Sequence, residues 1–332
     1  MKIKLGSRFI GEGEKTFIIA EAGSNHNRNW DRALALIDAA AASGADAVKF
    51  QLYKASDLYP KESPVYKPVE ETELPEEWLP KLSDYCHEKN IIFLTTPFSI
   101  RAVDLLEKVG IQAYKIASSE TINLPLLKHI ASKKKLILLS TGMCGLTDVA
   151  EAVETIQSEK NFDIVLLQCS AIYPAEPKHL HLKVMSTFQS AFNLPVGFSD
   201  HSIDPFMPSV AVALGACVIE KHFTLDRKLK GPDHSYALEP GELTQMVEHI
   251  RNTEMALGSS IKRALSEEME YARRETLHAS QMIQAGSTIA RENTIVQRPG
   301  KGIRPRFITA VLGKKAARTI QKGEAITWEM LQ

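Results

Sequence analysis

The feature that most constrains this chain is an eightfold alternation of short apolar, β-branched runs with amphipathic helical stretches. The intervening stretches, such as 30–44 and 146–159, carry apolar residues at spacings of three and four. Near-continuous apolar strands joined by helical crossovers are typical of a parallel sheet covered on both faces. Eight such units in about 240 residues predict an α/β fold, a (β/α)8 TIM barrel over 1–260. The predicted strands are 17–22, 47–52, 91–96, 113–118, 136–141, 163–170, 195–200 and 217–224.

An open, doubly wound sheet is the alternative fold, because periodicity alone does not show that a sheet closes into a barrel. The chain lacks a Gly-rich G-x-G-x-x-G turn, the dinucleotide-binding turn of many such sheets. The absence of that turn makes the barrel the favoured interpretation.

Composition excludes several classes of partner and compartment. Lys plus Arg and Asp plus Glu number 40 each, so no overall charge attracts nucleic acid or an anionic membrane. The cysteines at 86, 144, 169 and 217 form no C-x-x-C pair, which argues against a zinc ribbon or a disulfide framework. No leader-like apolar region or membrane-length apolar run is present in the sequence. These features predict a soluble, cytoplasmic protein with no nucleic-acid or membrane partner.

The C-terminal part of the sequence predicts a linker and a second, smaller domain. Residues 261–280 are charged and helical in pattern, with SEEMEYARRE at the centre, and are interpreted as the linker. The stretch 281–332 contains a weak internal echo, A-G-S-T-I-A-R-E-N-T-I against K-G-E-A-I-T-W-E-M-L. Two similar pieces predict a pseudo-twofold domain. It is too short to bury much core alone, so we expect it to dock on the barrel or on a neighbouring subunit.

Polar residues stand at the end of every predicted strand, where TIM barrels place their active sites. Lys49 and Lys115 are flanked by apolar residues, and an unpaired buried ammonium group is costly. A bound anion would satisfy both, and phosphate is the anion we expect because it accepts many hydrogen bonds. The neighbouring hydroxyl groups that could share this anion are those of Thr96, Ser118, Ser140 and Ser199.

A divalent metal site is predicted beside this anion site. His201 and His222 end adjacent predicted strands, and Glu21, Asp200 and Glu220 end the same or neighbouring strands. A single histidine would by default be structural, but two with carboxylates nearby favour a metal. Nitrogen and oxygen donors suit Mn²⁺, Mg²⁺ or Zn²⁺ and do not choose among them.

Two turns carry further candidate ligands. In G-P-D-H, Asp233 is either a substrate contact or the cap of a Gly-Pro turn. In R-P-G-K-G, Arg298 and Lys301 stand on a glycine-rich loop, which is either a plain turn or a means of reaching a ligand in another domain.

A series of ten motifs in order along the chain resembles the sialic acid synthase family, bacterial enzymes that make N-acetylneuraminic, legionaminic and pseudaminic acids. The likeness covers nearly the whole chain, including a C-terminal region similar to the family's antifreeze-like (SAF) domain. The motifs are E-A-G-S-N-H, V-K-F-Q, T-T-P-F-S, Y-K-I-A-S, L-S-T-G-M, C-S-A-I-Y-P, F-S-D-H, E-K-H-F-T-L-D, G-P-D-H and R-P-G-K-G.

The resemblance implies a reaction in which phosphoenolpyruvate condenses with the open-chain aldehyde of an N-acylated hexose and inorganic phosphate is released. It assigns phosphoenolpyruvate to Lys49, Thr96, Lys115, Ser118, Ser140 and Ser199. It assigns a divalent metal, typically Mn²⁺ with Mg²⁺ or Co²⁺ as alternatives, to His201 and His222, and proton transfer or oxocarbenium stabilisation to Glu21. It implies sugar contacts from Gln51, Tyr173 and Asp233. It also implies a domain-swapped homodimer in which Arg298 reaches the partner's barrel.

The chain departs from the neuraminate-making pattern at two positions, so the acceptor sugar stays open. Ala171 stands where the family often has Asn, and His278 stands where an aromatic residue would contact the sugar's acyl group. The acceptors considered are N-acetylmannosamine, a 2,4-diacetamido-trideoxyhexose and a less decorated sugar. Two alternatives differ in class: a Schiff-base aldolase with Lys115 or Lys49 as nucleophile, and a non-catalytic sugar- or surface-binding protein centred on the SAF-like region.

Overall fold

All eight predicted strands form, and they lie side by side in one parallel sheet. In this computed structural model, which describes residues 1–270 and 274–332, the chain divides into two units, Met1–Gly258 and Ser259–Gln332. The strands of the first unit are β1 (Lys2–Leu5), β2 (Arg8–Gly11), β3 (Phe17–Gly23), β4 (Ala47–Leu52), β5 (Ile92–Pro97), β6 (Ala113–Ile116), β7 (Leu136–Ser140), β8 (Ile164–Cys169), β9 (Val196–Asp200) and β10 (Val218–His222).

The strand order closes a ring. Neighbours in the eight-stranded sheet run β5-β4-β3-β10-β9-β8-β7-β6, and each hydrogen-bonded pair is parallel. The two end strands, β5 and β6, lie in contact with each other. The predicted TIM barrel is therefore confirmed, and the open doubly wound sheet is excluded.

Helices cross over between the strands, as the spacing of apolar residues predicts. The two stretches singled out in the sequence, 30–44 and 146–159, form helices that end within two residues of the predicted ends. Asn29 caps the first of them by accepting a hydrogen bond from the Arg32 amide at 2.8 Å. The helices of the described residues are α1 (Trp30–Ala42), α2 (Ala55–Leu58), α3 (Tyr66–Glu70), α4 (Leu79–Glu88), α5 (Ile100–Val109), α6 (Leu124–Ala131), α7 (Leu146–Ser158), α8 (Val184–Phe192), α9 (Met207–Ala213), α10 (Pro240–Leu257), α11 (Ser266–Glu270) and α12 (Ile308–Val311).

An antiparallel hairpin of β1 and β2 closes the amino-terminal end of the barrel. Its apolar side chains Ile3, Leu5 and Ile10 are buried in one cluster with interior residues of the barrel strands, among them Phe17 and Leu94. The larger apolar cluster lies between the strands and the surrounding helices. One end of the barrel is thus sealed by apolar packing, and the polar strand ends lie at the other.

The second unit contains two copies of the same local structure. In each copy a turn with a left-handed glycine, Gly286 (φ 78°) or Gly323 (φ 82°), precedes a short 3-10 helix. These helices are Arg291–Asn293 and Trp328–Met330. The copies coincide with the internal echo seen in the sequence. They pack on an apolar core of the unit's own.

Strand β11 (Thr276–Ala279) of the second unit pairs antiparallel with β12 (Thr294–Gln297). Strand β11 lies within the stretch 261–280 that the sequence analysis interprets as a linker, and residues 271–273 of that stretch lie outside the described residues. Among the helices that the structure describes, none is long and apolar enough to cross a membrane.

Candidate active site

A cavity at the carboxyl ends of the strands gathers nearly all the residues predicted from sequence. The residues that the family resemblance assigns all line it except Asp233 and Arg298. Glu220, expected from the sequence beside the metal, lines it as well, whereas Asp200 and Lys301 do not. The structure adds Ala117 and Cys169 to the lining. The full lining set is Glu21, Lys49, Gln51, Thr96, Lys115, Ala117, Ser118, Ser140, Cys169, Tyr173, Ser199, His201, Glu220 and His222.

Two lysines and two glutamates form a buried charge cluster at the centre of the cavity. The Lys49 ammonium lies 2.8 Å from the Glu21 carboxylate and 3.8 Å from that of Glu220. The Lys115 ammonium lies 3.4 Å from the same Glu220 oxygen. All four side chains are almost completely buried. Glu220, expected beside the metal, instead bridges the two lysines.

Burial and the opposite charges of neighbouring side chains together set the pKa values in this cluster. Burial raises the pKa of Glu21 from 4.5 to about 7, although Lys49 acts in the opposite direction. Burial alone would lower the pKa of Lys49, but Glu21 and Glu220 outweigh it and the pKa is raised. Burial lowers the pKa of Lys115, which Glu220 only partly offsets. Near neutral pH, Glu21 therefore exchanges a proton easily while Lys49 stays cationic.

Hydroxyl groups surround the lysines. Lys49 donates to the Thr96 hydroxyl at 2.9 Å, and Ser199 donates to Glu220 at 3.3 Å. Ser118 accepts from the Gly142 amide at 2.9 Å. The Ser140 hydroxyl is buried and has no hydrogen-bond partner among the described residues. A buried hydroxyl without a partner is expected to acquire one from a ligand.

The histidines His201 and His222 face each other with ring centroids 5.5 Å apart. The Nδ1 atom of His201 lies 2.7 Å from the Ser170 carbonyl oxygen. A carbonyl only accepts, so Nδ1 carries the proton and the Nε2 lone pair is left for a ligand. Burial lowers the pKa of His201 to about 3, so the ring is neutral. The Nδ1 of His222 is buried without a partner in the part of the chain that the structure describes.

No group of three or more His, Cys, Asp or Glu side chains is arranged to hold a metal within 1–270 and 274–332. Within these residues, His201 and His222 therefore face each other without a third such side chain placed to share a metal with them.

Asp233 lies beside the cavity and is held from two sides. Tyr236 donates to it at 2.6 Å and the Ser24 hydroxyl donates at 3.2 Å. Burial would raise its pKa, but His222 and these hydrogen bonds lower it. Gly23 (φ 53°) separates Asp233 from Glu21, because a Cβ there would lie 2.8 Å from Asp233 and 3.6 Å from Glu21. The strand is irregular at this point, between Glu21 and Gly23.

The remaining sugar candidates flank these groups. Gln51 donates to Glu21 at 3.1 Å. Tyr173 stacks on His201 with centroids 4.1 Å apart and is half exposed at the cavity mouth.

One other prediction needs correction. Asp200, expected near the metal, points outward and pairs with Lys221 at 2.6 Å. His278, which stands where the family's aromatic residue would contact the sugar's acyl group, is buried inside the second unit. Its ring nitrogens lie 3.0 Å from the Gly323 carbonyl and 3.1 Å from the Thr276 hydroxyl.

Arg298 lies in the second unit, exposed and 4.0 Å from Glu275. Just after β3, Asn25 is a structural residue whose side-chain amide donates to the Phe223 carbonyl at 2.8 Å. His26 is buried against Phe50 and Trp78.

Cys169 is a site residue that sequence reasoning missed. Its sulfur lies 3.5 Å from the Ser118 hydroxyl and 3.8 Å from His201 Nδ1. The signal was available, because alternation along β8 places Cys169 on the inward face.

Two family models match this chain, the NeuB family over residues 36–262 and the SAF domain over residues 274–332. The spore coat polysaccharide biosynthesis protein SpsE of Bacillus subtilis is 40% identical over 98% of this chain and 96% of that protein. The N,N'-diacetyllegionaminic acid synthase of Legionella pneumophila is 38% identical over 97% of this chain and 96% of that protein.

Solved structures point to the same family as the sequence matches. The crystal structure of the Bacillus subtilis protein aligns with a TM-score of 0.72, covering 100% of this chain and 99% of that one at 40% identity. The N-acetylneuraminic acid synthetase of Leptospira borgpetersenii, solved with citrate, aligns with a TM-score of 0.78, covering 82% and 95% at 34% identity. The chain therefore belongs to the sialic acid synthase (NeuB) family and carries a C-terminal SAF domain.

Proposed function

We propose that this protein is a nonulosonic acid synthase that condenses phosphoenolpyruvate with the open-chain aldehyde of an N-acylated hexose. Water is consumed and inorganic phosphate is released. The observation that carries the proposal is the pair of buried lysines, Lys49 and Lys115, facing one cavity among hydroxyl groups. Cations and hydroxyl donors together suit a small phosphorylated anion.

The charge cluster suggests how this anion enters. Glu21 and Glu220 neutralise the two lysines when no substrate is bound. A phosphorylated carboxylate brings several negative charges and favours protonation of Glu21, whose pKa already lies near 7. Once Glu21 is protonated, Lys49 is free to pair with the anion. An oxygen of the anion also accepts a hydrogen bond from the Ser140 hydroxyl, which has no partner among the described residues.

His201 and His222 would hold the divalent metal, which we propose is Mn²⁺. Their fit rests on the proton-bearing Nδ1 of His201, which leaves Nε2 as a donor, and on the unpartnered Nδ1 of His222. When bound, such a metal acts as a Lewis acid toward the sugar aldehyde. Burial keeps both rings neutral at physiological pH, as metal ligation requires.

In the proposed reaction, C3 of the enol forms a bond to the aldehyde carbon, whose oxygen takes up a proton. Positive charge then develops at C2, and water adds there with loss of a proton. At the resulting tetrahedral C2, the added hydroxyl loses its proton and becomes the ketone oxygen, while the bond from C2 to the phosphate oxygen breaks and inorganic phosphate leaves with that proton. Glu21 is the residue we assign to proton transfer or to stabilising the C2 cation, because it is buried at the centre of the cavity and its pKa is about 7.

The sugar is assigned to the mouth of the cavity. Tyr173, stacked on His201, offers an aromatic face there, and Gln51 and Asp233 offer hydrogen-bonding groups on either side of Glu21. N-acetylmannosamine and 2,4-diacetamido-trideoxyhexoses are the acceptors to compare. Ala171 adjoins the Ser118 side of the cavity across Gly142.

The decisive assay measures phosphate release and product mass with phosphoenolpyruvate, Mn²⁺ and a panel of N-acylated hexoses. Release should need both substrates and metal. Lys49→Met should raise the KM for phosphoenolpyruvate, whereas Lys135→Met, at the opposite end of the barrel, should not. Activity that survives exhaustive chelation, or release without sugar, contradicts the proposal.

A Schiff-base aldolase is the second candidate, and the lowered pKa of Lys115 favours it. Burial and the neighbouring positive charge of Lys49 lower the pKa of Lys115, and a neutral amine could attack pyruvate. Borohydride reduction in the presence of pyruvate distinguishes the two functions. A covalent pyruvyl adduct on Lys115, absent in Lys115→Met, would support the aldolase, whereas the synthase leaves no adduct.

We further propose a domain-swapped homodimer in which Arg298 of one copy completes the barrel site of the other. Support comes from the family resemblance and from the exposed position of Arg298 on its glycine-rich loop. Mixing inactive Glu21→Gln and Arg298→Ala proteins after unfolding and refolding them together should restore activity, because one barrel per mixed dimer is intact. A mixture as inactive as its components contradicts the swap.

A further inference from the structure

Strands β9 and β10 end in a strict alternation of inward and outward side chains. Ser199 and Glu220 are register partners that both line the cavity. The next register pair, Asp200 and Lys221, points the other way, and both side chains are almost fully buried. The outward pair therefore lies directly behind the strand ends that carry His201 and His222.

Among the residues that the structure describes, the hydrogen-bond partners of the Lys221 ammonium all lie in one short segment, Asp200–Asp204. It lies 2.6 Å from the Asp200 carboxylate, 3.2 Å from the Ser202 hydroxyl and 3.4 Å from the Asp204 carbonyl. It also donates to the Ser202 carbonyl. Asp200 in turn accepts from the Ser202 amide at 2.8 Å. His201 lies between Asp200 and Ser202 in this segment, so the residues on both sides of it are tied to one ammonium group.

This arrangement is a poor way to gain stability. Taking an ammonium and a carboxylate out of water costs several kcal/mol each, and apolar residues of similar volume often stabilise a fold as well or better. A buried pair of this kind can instead fix the position of the backbone around it. Lys221 precedes His222 on β10 and holds the loop that bears His201, so it links the two histidines through a short path.

We propose that Lys221 is a positioning residue that sets His201 against His222 by holding the segment Asp200–Asp204. This inference rests on the proposed function, in which the two histidines bind a divalent metal. Supporting partners of metal ligands typically change metal affinity or activity by about 10- to 100-fold when they are removed. Lys221 reaches the site only through the backbone and touches no ligand.

The test replaces the outward pair with apolar side chains, Asp200→Leu together with Lys221→Met. Mn²⁺ affinity is measured by calorimetry without substrates, alongside the melting temperature and phosphoenolpyruvate binding. We expect the Kd for Mn²⁺ to rise about 10- to 100-fold, with phosphoenolpyruvate binding changed less than about twofold.

Lys135→Met is the matched control. Lys135 donates to Glu107 at 2.6 Å on the barrel wall, just before β7, and its loss should leave Mn²⁺ affinity unchanged. A folded double variant with wild-type Mn²⁺ affinity overturns the proposal. If the double variant does not fold, Asp200→Asn keeps the side-chain volume and the other three partners of Lys221. Its Mn²⁺ affinity should then fall by a smaller factor, and an unchanged affinity again overturns the proposal.

The wild-type titration separates this inference from the proposed function. If the wild-type protein binds no Mn²⁺ and still turns over after chelation, the proposed metal site is refuted. That result does not test whether Lys221 positions the two histidines. Crystal structures of the wild-type and variant proteins then decide the matter. A His201–His222 separation retained in the variant refutes positioning by Lys221, and a changed separation supports it.

Discussion

Replacing Glu21 with glutamine should make the protein more stable at alkaline pH while it removes activity. Burial raises the pKa of Glu21 to about 7 in the folded chain, whereas an exposed glutamate has an ordinary pKa of 4.5. The folded state therefore binds this proton more tightly than the unfolded state does. The stabilisation that this proton gives is fully present below pH 4.5 and is lost as the pH rises through 7.

The size of the effect follows from the shift. One pKa unit corresponds to about 1.4 kcal/mol. Relative to low pH, where the Glu21 carboxyl group is protonated in both states, its titration therefore lowers the free energy of unfolding by about 3 kcal/mol at pH 8 and by about 1 kcal/mol at pH 5. Glutamine does not titrate. Its own contacts with Lys49 and Gln51 differ from those of glutamate, but that difference is the same at both pH values. It cancels when the two proteins are compared across pH.

The assay is urea unfolding of wild-type and Glu21→Gln protein at several pH values from 5 to 8. The free energy of unfolding of wild type relative to the variant should fall by about 2 to 3 kcal/mol over that range. Turnover should fall by about 10²- to 10⁴-fold, the usual contribution of a general acid or base. Stability curves that run parallel across pH would refute the assigned ionisation of Glu21, whatever the activity.

Three further substitutions test other parts of the site. Ser140→Ala removes a buried hydroxyl without a partner among the described residues, so the melting temperature should hold or rise while the KM for phosphoenolpyruvate, from initial rates, increases about tenfold or more. Gly23→Ala forces a Cβ to 2.8 Å from Asp233 at a φ of 53°, and should abolish turnover and lower unfolding stability by about 1–3 kcal/mol. Tyr236→Phe removes a donor to Asp233. The Tyr236→Phe variant should have a higher KM for the sugar and an unchanged KM for phosphoenolpyruvate. An equal rise in both KM values would contradict the assignment of Asp233 to the sugar.

The barrel and most of its site were predictable from sequence because both depend on local patterns. Alternating strands and helices define the barrel, and the carboxyl ends of its strands converge whatever the loops do. Reading strand ends therefore identified Lys49, Lys115 and the two histidines, which the cavity brings together. The predicted ends of the eight strands differ from the observed ends by no more than two residues, because the apolar runs stop where side chains reach the cavity mouth.

Alternation along β9 could have corrected the placement of Asp200. Ser199 and His201 face the cavity, so Asp200 between them faces the helices. What sequence could not provide was the pairing of charged side chains across strands. No local pattern reveals that Glu220 bridges two lysines from separate strands. Such pairings depend on the stagger of the closed barrel, which only coordinates provide.

The hairpin of β1 and β2 has a kinetic consequence. By sealing the amino-terminal end with Ile3, Leu5 and Ile10, it leaves the carboxyl end as the route for ligand exchange in the barrel. On the proposed function, the anion at the buried lysines lies beneath the sugar at half-exposed Tyr173. The deeper ligand must then arrive first and depart last. Steady-state kinetics should be ordered, with phosphoenolpyruvate binding before the sugar.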